Sequence, residues 1–511
     1  MTNRRERVSG ALRAAWPSLL ATVTLLAVAV WLAWQRGGYF PPAFLAAGAA
    51  AFVATAIVLV VWLPRPAPAG AALIAVAAVL GLAAWMAVSA GWSPVPATAV
   101  EDAQRALAYA AVLTLAVLGA SASGSRRQVP WVVLAVIVVV VGAGLLSRLL
   151  PDLISAPAPR SEAGFRLDYP LGYSNAYGAL AAIGLVLALG LSGDHLARAL
   201  PRALAAAATV PLGVAMYLSL SRGAWLSVTA GLIVLFLLAR DRVALLATAA
   251  AAAAAAAVAI LVLKDHPALI DGPRAGQALG TGGWGMLALT LGLAVVVGAV
   301  QLAVVAAPVR VPRAAVAAVL GLVVLGGAGA VAAEHHRVGD FLDRQWNDFL
   351  HPAGQPSQSG RLATAKGPRS DFYRVALDGF EAHPWRGLGS GGFEPLYVRD
   401  RRTNETARDV HSLYLEVLSE LGIVGALLLA AFVVATLAGV VAVRRRPGPL
   451  GAGAAAAAGA AWTTWLVHAG VDWDWQMPAL TVVALMLAGV VVATPPLPPP
   501  SAASVGSTPP R

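Results

Sequence analysis

The sequence contains no cysteine and few charged residues. Of its 511 residues, only 12% are charged, whereas a typical soluble domain has about 25%. The absence of cysteine excludes disulfide bonds, zinc–thiolate centres and cysteine-ligated iron–sulfur clusters. The scarcity of charge, together with 59% hydrophobic residues, excludes an ordinary soluble protein. It predicts instead an all-α, polytopic membrane helix bundle.

The sequence also lacks His, Asp or Glu residues at metal-ligand spacing. The adjacent residues of "EHH" at 334–336 would diverge on a helix, so neither a metal nor another cofactor is expected. The net charge is +11, but the arginines are scattered between apolar runs rather than clustered on one soluble face. Membrane topology explains this charge, and no nucleic-acid partner is predicted.

Long apolar runs predict membrane-spanning helices, each of which needs about 20 residues. The basic stretch 1–14 precedes a run too long for a signal-peptide core, so that run is interpreted as a retained span. The Pro/Ser-rich stretch 495–511 is predicted to be disordered and cytoplasmic. About 12–14 spans are expected, with fourteen candidates at 15–34, 41–63, 71–90, 104–121, 129–150, 172–192, 203–220, 223–239, 243–263, 284–306, 314–333, 412–443, 451–469 and 478–494.

Basic residues in the short loops predict the orientation in the cytoplasmic membrane. One set of loops is arginine-rich, as in "SRRQ", "ARDR" and "RRRP", and the other is acidic or mixed, as in "DWDWQMP". The positive-inside rule places the first set, and both termini, in the cytoplasm. The chain then divides into a bundle over 15–333, an outer loop over 334–411 and three further spans over 412–494. The outer loop holds eleven Lys and Arg residues, which points to an anionic ligand at the outer face.

Arginines stand at the mouths of several predicted spans on the outer side. Arg222 in "LSLSRGAW" lies between two spans with almost no polar loop, so it must face an anion, a water cavity or headgroup phosphate. Arginine suits a diphosphate because its planar guanidinium makes bidentate, charge-assisted bonds and keeps its proton. Arg105 follows two acids, which is also typical of an ion pair at a helix start. Arg166 precedes Asn175, which would cap its span or bond a neighbouring helix.

The outer loop contains one predicted helix, at about 370–381, because apolar residues recur there at helical spacing. Arg369 lies at its start, and Arg386 follows the His–Pro break at its end. The stretch "GLGSGGF" comes next. It is more typical of a tight turn than of a phosphate-cradling loop, which requires a strand before it and a helix after it.

Polar residues also flank the spans that follow the loop. His411 opens the span after the loop, and Glu416 and Glu420 follow on one helical face, where they would orient loop arginines or be solvated. Asp472 and Asp474 stand among tryptophans. That pattern is typical of an interfacial aromatic belt, with carbohydrate stacking as the alternative.

Several of these stretches, in this order and spacing, resemble the O-antigen ligase and polymerase superfamily over about residues 205–435. They are "LSLSRGAW", the loop with "RSDFYRVALDGFEAHPWRGLGSGGF", and "HSLYLEVLSELGIVGALLL". "SAGWSPVPATAVEDAQR", "RLDYPLGYSNAYG" and "VDWDWQMPA" are similar as well. The resemblance implies a fold like that of C-type glycosyltransferases. It also implies an inverting transfer of a glycan from a polyprenyl diphosphate to a hydroxyl of a glycan, lipid or protein, with arginines in place of a metal.

The resemblance also implies roles for individual residues. Arg222, Arg369 and Arg166 would hold the donor diphosphate. His411 would be catalytic, either as general base or as a hydrogen-bond donor to the leaving phosphate. Relatives often carry Asn after this histidine, whereas this chain has Ser412. Supporting roles would fall to Arg105, Arg386, Asn175 and Glu416.

Two alternatives stay open at this point. One is a glycan-repeat polymerase of the same superfamily, which would share the donor and differ in the acceptor. The other is a polytopic solute transporter. A transporter should show repeated halves with broken helices at the membrane midplane, and the sequence shows no such repeat.

Overall fold

The computed structural model describes residues 2–61, 70–121, 126–154, 156, 165–272, 282–307, 335–351, 362, 364–446 and 448–493. Side chains are described from residue 16 onward and, in the helix that begins at residue 335, from residue 339. All regular elements in these ranges are helical, which confirms the predicted all-α bundle. The α-helices are α1 (Thr2–Trp34), α2 (Pro41–Val61), α3 (Gly70–Ser89), α4 (Pro96–Ser121), α5 (Gln128–Leu149), α6 (Ser174–Ser192), α7 (Ala199–Leu218), α8 (Arg222–Leu238), α9 (Arg242–Lys264), α10 (Pro267–Asp271), α11 (Gly282–Ala306), α12 (His335–Leu350), α13 (Arg369–Ala382), α14 (Phe393–Asp400), α15 (Leu413–Arg445), α16 (Ala452–Ala469) and α17 (Pro478–Val492).

The protein is a multi-pass membrane protein. Ten helices in the described ranges are long and apolar enough to cross a membrane, and α8 and α17 are shorter apolar helices beside them. Helices occupy thirteen of the fourteen predicted spans. The remaining one, 314–333, lies outside the described residues, as do Glu334 and the stretch 495–511.

Proline and glycine set several helix boundaries. Pro41 and Pro96 are the first residues of α2 and α4, and Pro478 begins α17. Proline is well tolerated there because the first N–H groups of a helix have no intrahelical partner. Gly193 and Gly470 end α6 and α16. Most predicted and observed boundaries agree within a few residues, but α1 begins 13 residues and α4 eight residues before the predicted spans 15–34 and 104–121.

Two helices form the centre of the bundle. Every residue of α17 is buried, and α6 buries all its residues except Leu185. A helix that is apolar on all sides suits either a protein interior or membrane hydrocarbon, and these two helices are enclosed by other helices. In contrast, α9 and α11 bury one stripe each and expose large apolar side chains such as Leu261 and Val295. Those exposed faces suit lipid.

The stretch 335–412, called the extramembrane segment below because none of its described helices is a candidate membrane span, docks on a break in α15. Gly422 has a φ of 63°, and a Cβ at this position would lie 2.5 Å from the carbonyl oxygen of Trp385, so only glycine fits. The N–H of Ile423 donates to the carbonyl of Pro384 at 2.8 Å, and the Trp85 indole donates to the carbonyl of Leu421 at 2.9 Å. The break therefore fixes the extramembrane segment against the bundle.

Candidate functional site

A buried aspartate lies where the extramembrane segment meets the bundle. Asp472 is fully buried and accepts hydrogen bonds from Tyr173, Asn175 and Arg369, each at 2.7 Å. The Trp473 backbone N–H adds a fourth bond at 3.0 Å. Burial alone would raise the pKa of Asp472, but nearby cations, Arg369 first, outweigh it and hold the pKa below its ordinary value. The carboxylate is therefore ionised at neutral pH.

Arg369 begins α13 and faces this carboxylate from the extramembrane side. Burial alone would lower the pKa of its guanidinium, but the charge of Asp472 outweighs burial and raises the pKa. Within the described chain, Arg369 donates through one terminal nitrogen, Nη2. The ion pair with Asp472 holds the side chain in place.

Arg222 lies near Arg369 in space but belongs to a different part of the fold. It is the first residue of α8, where Ser221 caps the helix by accepting the Ala224 N–H at 3.2 Å. Its guanidinium donates to the carbonyl of Thr364, and to that of Lys366 at 3.0 Å. Arg222 and Arg369 line one cavity of 460 Å³, together with Gly223, Leu226, Phe349, Ala365, Gly367, Tyr373 and Val471.

Arg166 lies behind this cavity and is not among its lining residues. It is buried, donates from Nε to the Ser219 carbonyl at 2.9 Å, and bonds the Asn175 side-chain oxygen. Asn175 in turn bonds Asp472. Arg166 and Asn175 thus brace the turn before Arg222 and the carboxylate that holds Arg369. Arg166 therefore braces the site in this structure, and its predicted contact with a diphosphate stays a prediction.

His411 lies beside the same network. Its Nδ1 is 3.0 Å from the Asp409 carbonyl, and its own carbonyl accepts from the hydroxyl of Tyr373, a cavity-lining residue, at 3.2 Å. The ring packs on Phe372, with centroids 5.1 Å apart. Burial lowers the pKa of His411; Asp472 opposes this shift and Arg369 adds to it. The imidazole is therefore neutral at pH 7.

The serine after His411 caps the helix. The Ser412 hydroxyl accepts the N–H of Leu415 at 3.5 Å, at the start of α15. Serine and asparagine are both strong N-cap residues, so the departure from the His–Asn pattern leaves the cap intact. His411 itself has a φ of 59°, a left-handed conformation that is uncommon for residues other than glycine.

A second polar cluster supports the chain just before His411. Arg105 is buried between Asp102 at 2.7 Å and Glu101 at 3.0 Å, deeper than the snorkelling pair expected from the sequence. Glu416 is also buried; it accepts the Val410 N–H at 3.1 Å and bonds the Gln476 amide. Glu416 therefore positions the segment that carries His411 directly, and Arg105 does so through Glu101, which also pairs with Arg408 at 3.5 Å. Neither Arg105 nor Glu416 lines the cavity of Arg222 and Arg369.

The glycine-rich stretch is a tight turn. Glu420 accepts the N–H groups of Gly391 at 2.9 Å and Phe393 at 3.0 Å, and the N–H of Gly389 donates to the Glu420 backbone carbonyl at 2.8 Å. These amides are thus already bonded within the protein, so they do not form a phosphate cradle. Glu420 is buried rather than solvated, and it bonds no arginine of the described part of the loop. Arg386 is exposed and lies over the Trp92 ring at 5.5 Å, away from the cavity.

The interpretation of 472–475 as an aromatic belt was wrong. Asp472, Asp474 and Trp475 are all buried, and Asp474 contacts the buried His468 at 2.8 Å. Sequence reasoning also missed Tyr173, Tyr373 and His468. The available signal was the pair of acids within an otherwise apolar stretch, because buried charges require partners. The described residues hold no group of three or more His, Asp or Glu that could bind a metal ion.

Comparison with known proteins bears on the extramembrane segment and the spans around it. Residues 278–430 match the protein family described as O-antigen ligase, and no curated protein matches the chain. The matched region contains Arg369 and His411, whereas Arg222 and Asp472 lie outside it. Over residues 278–430 the match confirms the resemblance to the O-antigen ligase superfamily that the motifs predicted, and the ten apolar helices make the chain a multi-pass membrane protein.

Proposed function

We propose that this protein is an envelope glycosyltransferase that transfers or polymerises a glycan carried on a polyprenyl diphosphate. The acceptor is a hydroxyl of a glycan, lipid or protein. The observation that carries the proposal is the cavity shared by Arg222 and Arg369, with His411 outside its lining but bonded through its backbone carbonyl to the cavity-lining Tyr373. Two guanidinium groups converge there from separate elements, and a buried carboxylate fixes one of them.

The arginines suit the diphosphate of the donor. As the bond to the sugar breaks, negative charge grows on the departing phosphate oxygen. Fixed cations aimed at developing charge stabilise it without reorganising during the reaction. Arg369, held by Asp472, and Arg222, held by two backbone carbonyls, fulfil this condition and would do so without a metal.

His411 would act as the general base. The Asp409 carbonyl can only accept a hydrogen bond, so the proton of the neutral ring is on Nδ1 and the lone pair is on Nε2. That tautomer supports the general-base role over donation to the leaving phosphate. The lowered pKa keeps the base unprotonated at neutral pH.

The transfer is then a single displacement. The acceptor oxygen forms a bond to the anomeric carbon, while the bond from that carbon to the phosphate oxygen breaks. The polyprenyl diphosphate leaves with the electron pair, and the acceptor proton moves to Nε2 of His411. Configuration at the anomeric carbon inverts because the nucleophile enters opposite the leaving group.

The proposed location is the outer face of the cytoplasmic membrane, with both termini inside. The site lies at the bundle end that bears the extramembrane segment. At the opposite end are arginines such as Arg127, which pairs with Asp194 at 3.1 Å. This separation supports the orientation expected from the positive-inside rule. A transporter is less well supported, because the break at Gly422 is filled by the extramembrane segment and Trp85 rather than lining a substrate path.

The direct experiment is a transfer assay on the purified protein with a synthetic glycan on undecaprenyl diphosphate. Arg369→Lys keeps the charge but loses the planar guanidinium group. Turnover should therefore fall at least tenfold, which corresponds to about 1.4 kcal/mol in activation free energy. Arg399→Lys is the matched control, because Arg399 is exposed on the same segment and pairs only with its neighbour Asp400 in the described chain. Equal turnover by the two variants, or no transfer by the wild type with any lipid-diphosphate glycan, would contradict the proposal.

A further inference from the structure

A buried aspartate–histidine pair lies directly behind the wall of the cavity. His468, in the last turn of α16, and Asp474, in the turn before α17, are both fully buried. The His468 Nδ1 lies 2.9 and 2.8 Å from the two carboxylate oxygens of Asp474. A carboxylate only accepts hydrogen bonds, so the proton of the neutral ring is on Nδ1 and the lone pair is on Nε2.

The other ring nitrogen of His468 is unpartnered. In the part of the chain that the structure describes, Nε2 is buried and has no hydrogen-bond partner. Burying a polar atom without a partner costs free energy. An apolar side chain would fill the same space without that cost, so packing alone does not account for a histidine at this position.

The unpartnered nitrogen faces the first turn of α8. A Cβ atom at Gly223 would lie 2.9 Å from Nε2 of His468 and 3.3 Å from Val471, so the α8 backbone packs directly on the ring. Gly223 follows Arg222 in this turn, and all three residues, Arg222, Gly223 and Val471, line the cavity. The first turn of a helix carries a partial positive charge, to which a nitrogen lone pair is complementary. The ring therefore sets how closely the start of α8, and Arg222 with it, approaches α16.

The turn that holds His468 also holds Arg369. Asp472 pairs with Arg369 at 2.7 Å, and Asp474, two positions later, pairs with His468. The backbone carbonyl of Asp474 accepts the Thr481 hydroxyl at 2.7 Å, which ties this turn to α17. One short stretch thus reaches one cavity arginine directly and the other through the His468 ring.

We infer that His468 is a positioning residue that sets the spacing of the two arginines, so that Arg222 and Arg369 bind both phosphates of a diphosphate together. The inference rests on the proposed function for the identity of the ligand. A diphosphate offers two phosphate groups a fixed distance apart, and each guanidinium group can bond one of them. A shift of the α8 start would take Arg222 out of this arrangement, while Asp472 would keep Arg369 in place. His468 acts through α8, since it does not line the cavity itself.

The test compares the binding of geranyl diphosphate and geranyl monophosphate to the purified protein in one detergent. The wild type should prefer the diphosphate, because both arginines bind it. His468→Asn keeps a side-chain N–H where Nδ1 lies, and so the bond to Asp474, but removes the part of the ring that faces Gly223. Affinity for the diphosphate should fall about tenfold, as expected when bonds to a charged group are lost. Affinity for the monophosphate, which Arg369 alone can bind, should stay within about twofold.

Gly223→Ala changes the same contact from the other side. Its methyl group would lie 2.9 Å from Nε2 and displace the start of α8, so this variant should also lose affinity for the diphosphate selectively. In the double variant Gly223→Ala, His468→Asn, the smaller side chain at position 468 leaves room for the methyl group. The double variant should therefore bind the diphosphate more tightly than either single variant. A loss in the double variant equal to the sum of the two single losses would overturn the inference.

Thr464→Ala is the matched control. Thr464 is buried one turn before His468 on α16 and packs against Gly231 of α8, but neither Thr464 nor Gly231 lines the cavity. This variant should bind both compounds as the wild type does. Three results would overturn the inference and leave His468 as a packing residue: equal losses for the two compounds in His468→Asn, no loss in that variant, or a wild type without preference for the diphosphate.

The two proposals fail in different ways. If the variants bind as expected but the wild type transfers no glycan, the proposed transfer is wrong and the positioning role stands. If transfer proceeds normally and the preference for the diphosphate does not depend on His468, the inference about His468 is wrong and the transfer stands.

Discussion

Asp472 accepts a hydrogen bond of 2.7 Å from Arg369 across 103 positions of the chain. The contact joins the stretch after α16 to the first turn of α13, so a residue near the end of the described chain holds an arginine of the extramembrane segment. Tyr173 and Asn175 hold the same carboxylate from α6 and the residue before it. One buried acid therefore fixes the relative position of three elements around the cavity.

We predict that Asp472→Ala destabilises the protein by about 3 kcal/mol, because it leaves the largely buried Arg369 without its counter-charge. Donor binding should also weaken, since Arg369 is no longer held at the cavity. Thermal unfolding in detergent and a donor-binding titration would measure the two effects. Asp378→Ala removes an exposed partner of Arg374 and should have little effect on either. A variant at position 472 as stable as this control would contradict the structural role.

We predict that Arg222→Lys keeps the fold and loses most of the transfer activity. Lysine retains the positive charge, but it lacks the planar guanidinium group, whose several N–H donors can bond two carbonyls and a diphosphate at the same time. The loss in transition-state stabilisation should be about 1–3 kcal/mol, the range for hydrogen bonds to charged groups. Steady-state kinetics with the lipid-diphosphate donor would report it. Wild-type turnover by the lysine variant would reduce Arg222 to an anchor for the segment 364–366.

We predict that transfer declines at acid pH through protonation of His411. Burial lowers the pKa of His411. The unprotonated base is therefore present at pH 7, and transfer should decline only at a pH below the ordinary histidine pKa of about 6.5. His411→Ala should abolish most of the transfer and, with it, the decline of the rate at acid pH. Donor binding should persist, because the base contacts the acceptor and not the donor. The measurements are transfer rate against pH and donor affinity of the variant. Near-normal transfer by His411→Ala would remove the ring from the mechanism.

We predict a different pH dependence for Asp409, whose backbone carbonyl orients His411. Burial raises the pKa of the Asp409 carboxyl to about 7, against an ordinary value of 3.8. The folded state thus binds this proton more tightly than the unfolded state, so the stability it contributes is lost as pH rises from about 4 to about 7. Asp409→Asn mimics the protonated carboxyl. Its melting temperature should exceed that of the wild type more at pH 8 than at pH 5, and the reverse trend would refute the assignment.

We predict that the extramembrane segment is outside the cell and that the turn after α6 is inside. The chain has no cysteine, so single cysteines report topology without background. Asn404→Cys, at an exposed position of the segment, should react with an impermeant thiol reagent in intact cells. His195→Cys, 58% exposed in the turn after α6, should react only after lysis. The opposite labelling pattern would invert the proposed orientation.

The sequence by itself determined the class of the protein and most of its helices. Burying backbone polar groups in hydrocarbon requires helices of bilayer length, so the apolar runs dictate the spans directly. Pro96 marks a boundary for an equally local reason, since it acts through its own backbone geometry. The helix predicted at 370–381 is found at Arg369–Ala382 because its apolar spacing is also a local property.

Only the tertiary structure decided which polar residues act together. Arg166 and Arg222 stand at similar predicted span mouths, yet the packing of α6 against the turn before α8 places Arg166 behind the cavity and Arg222 in its wall. Asp472 gains its role because a carboxylate buried among helices must be satisfied by whatever donors the packing brings to it. Its side-chain partners lie 103 to 299 positions away. Hydrophobic periodicity describes one helix at a time, and carries no information about contacts over such separations.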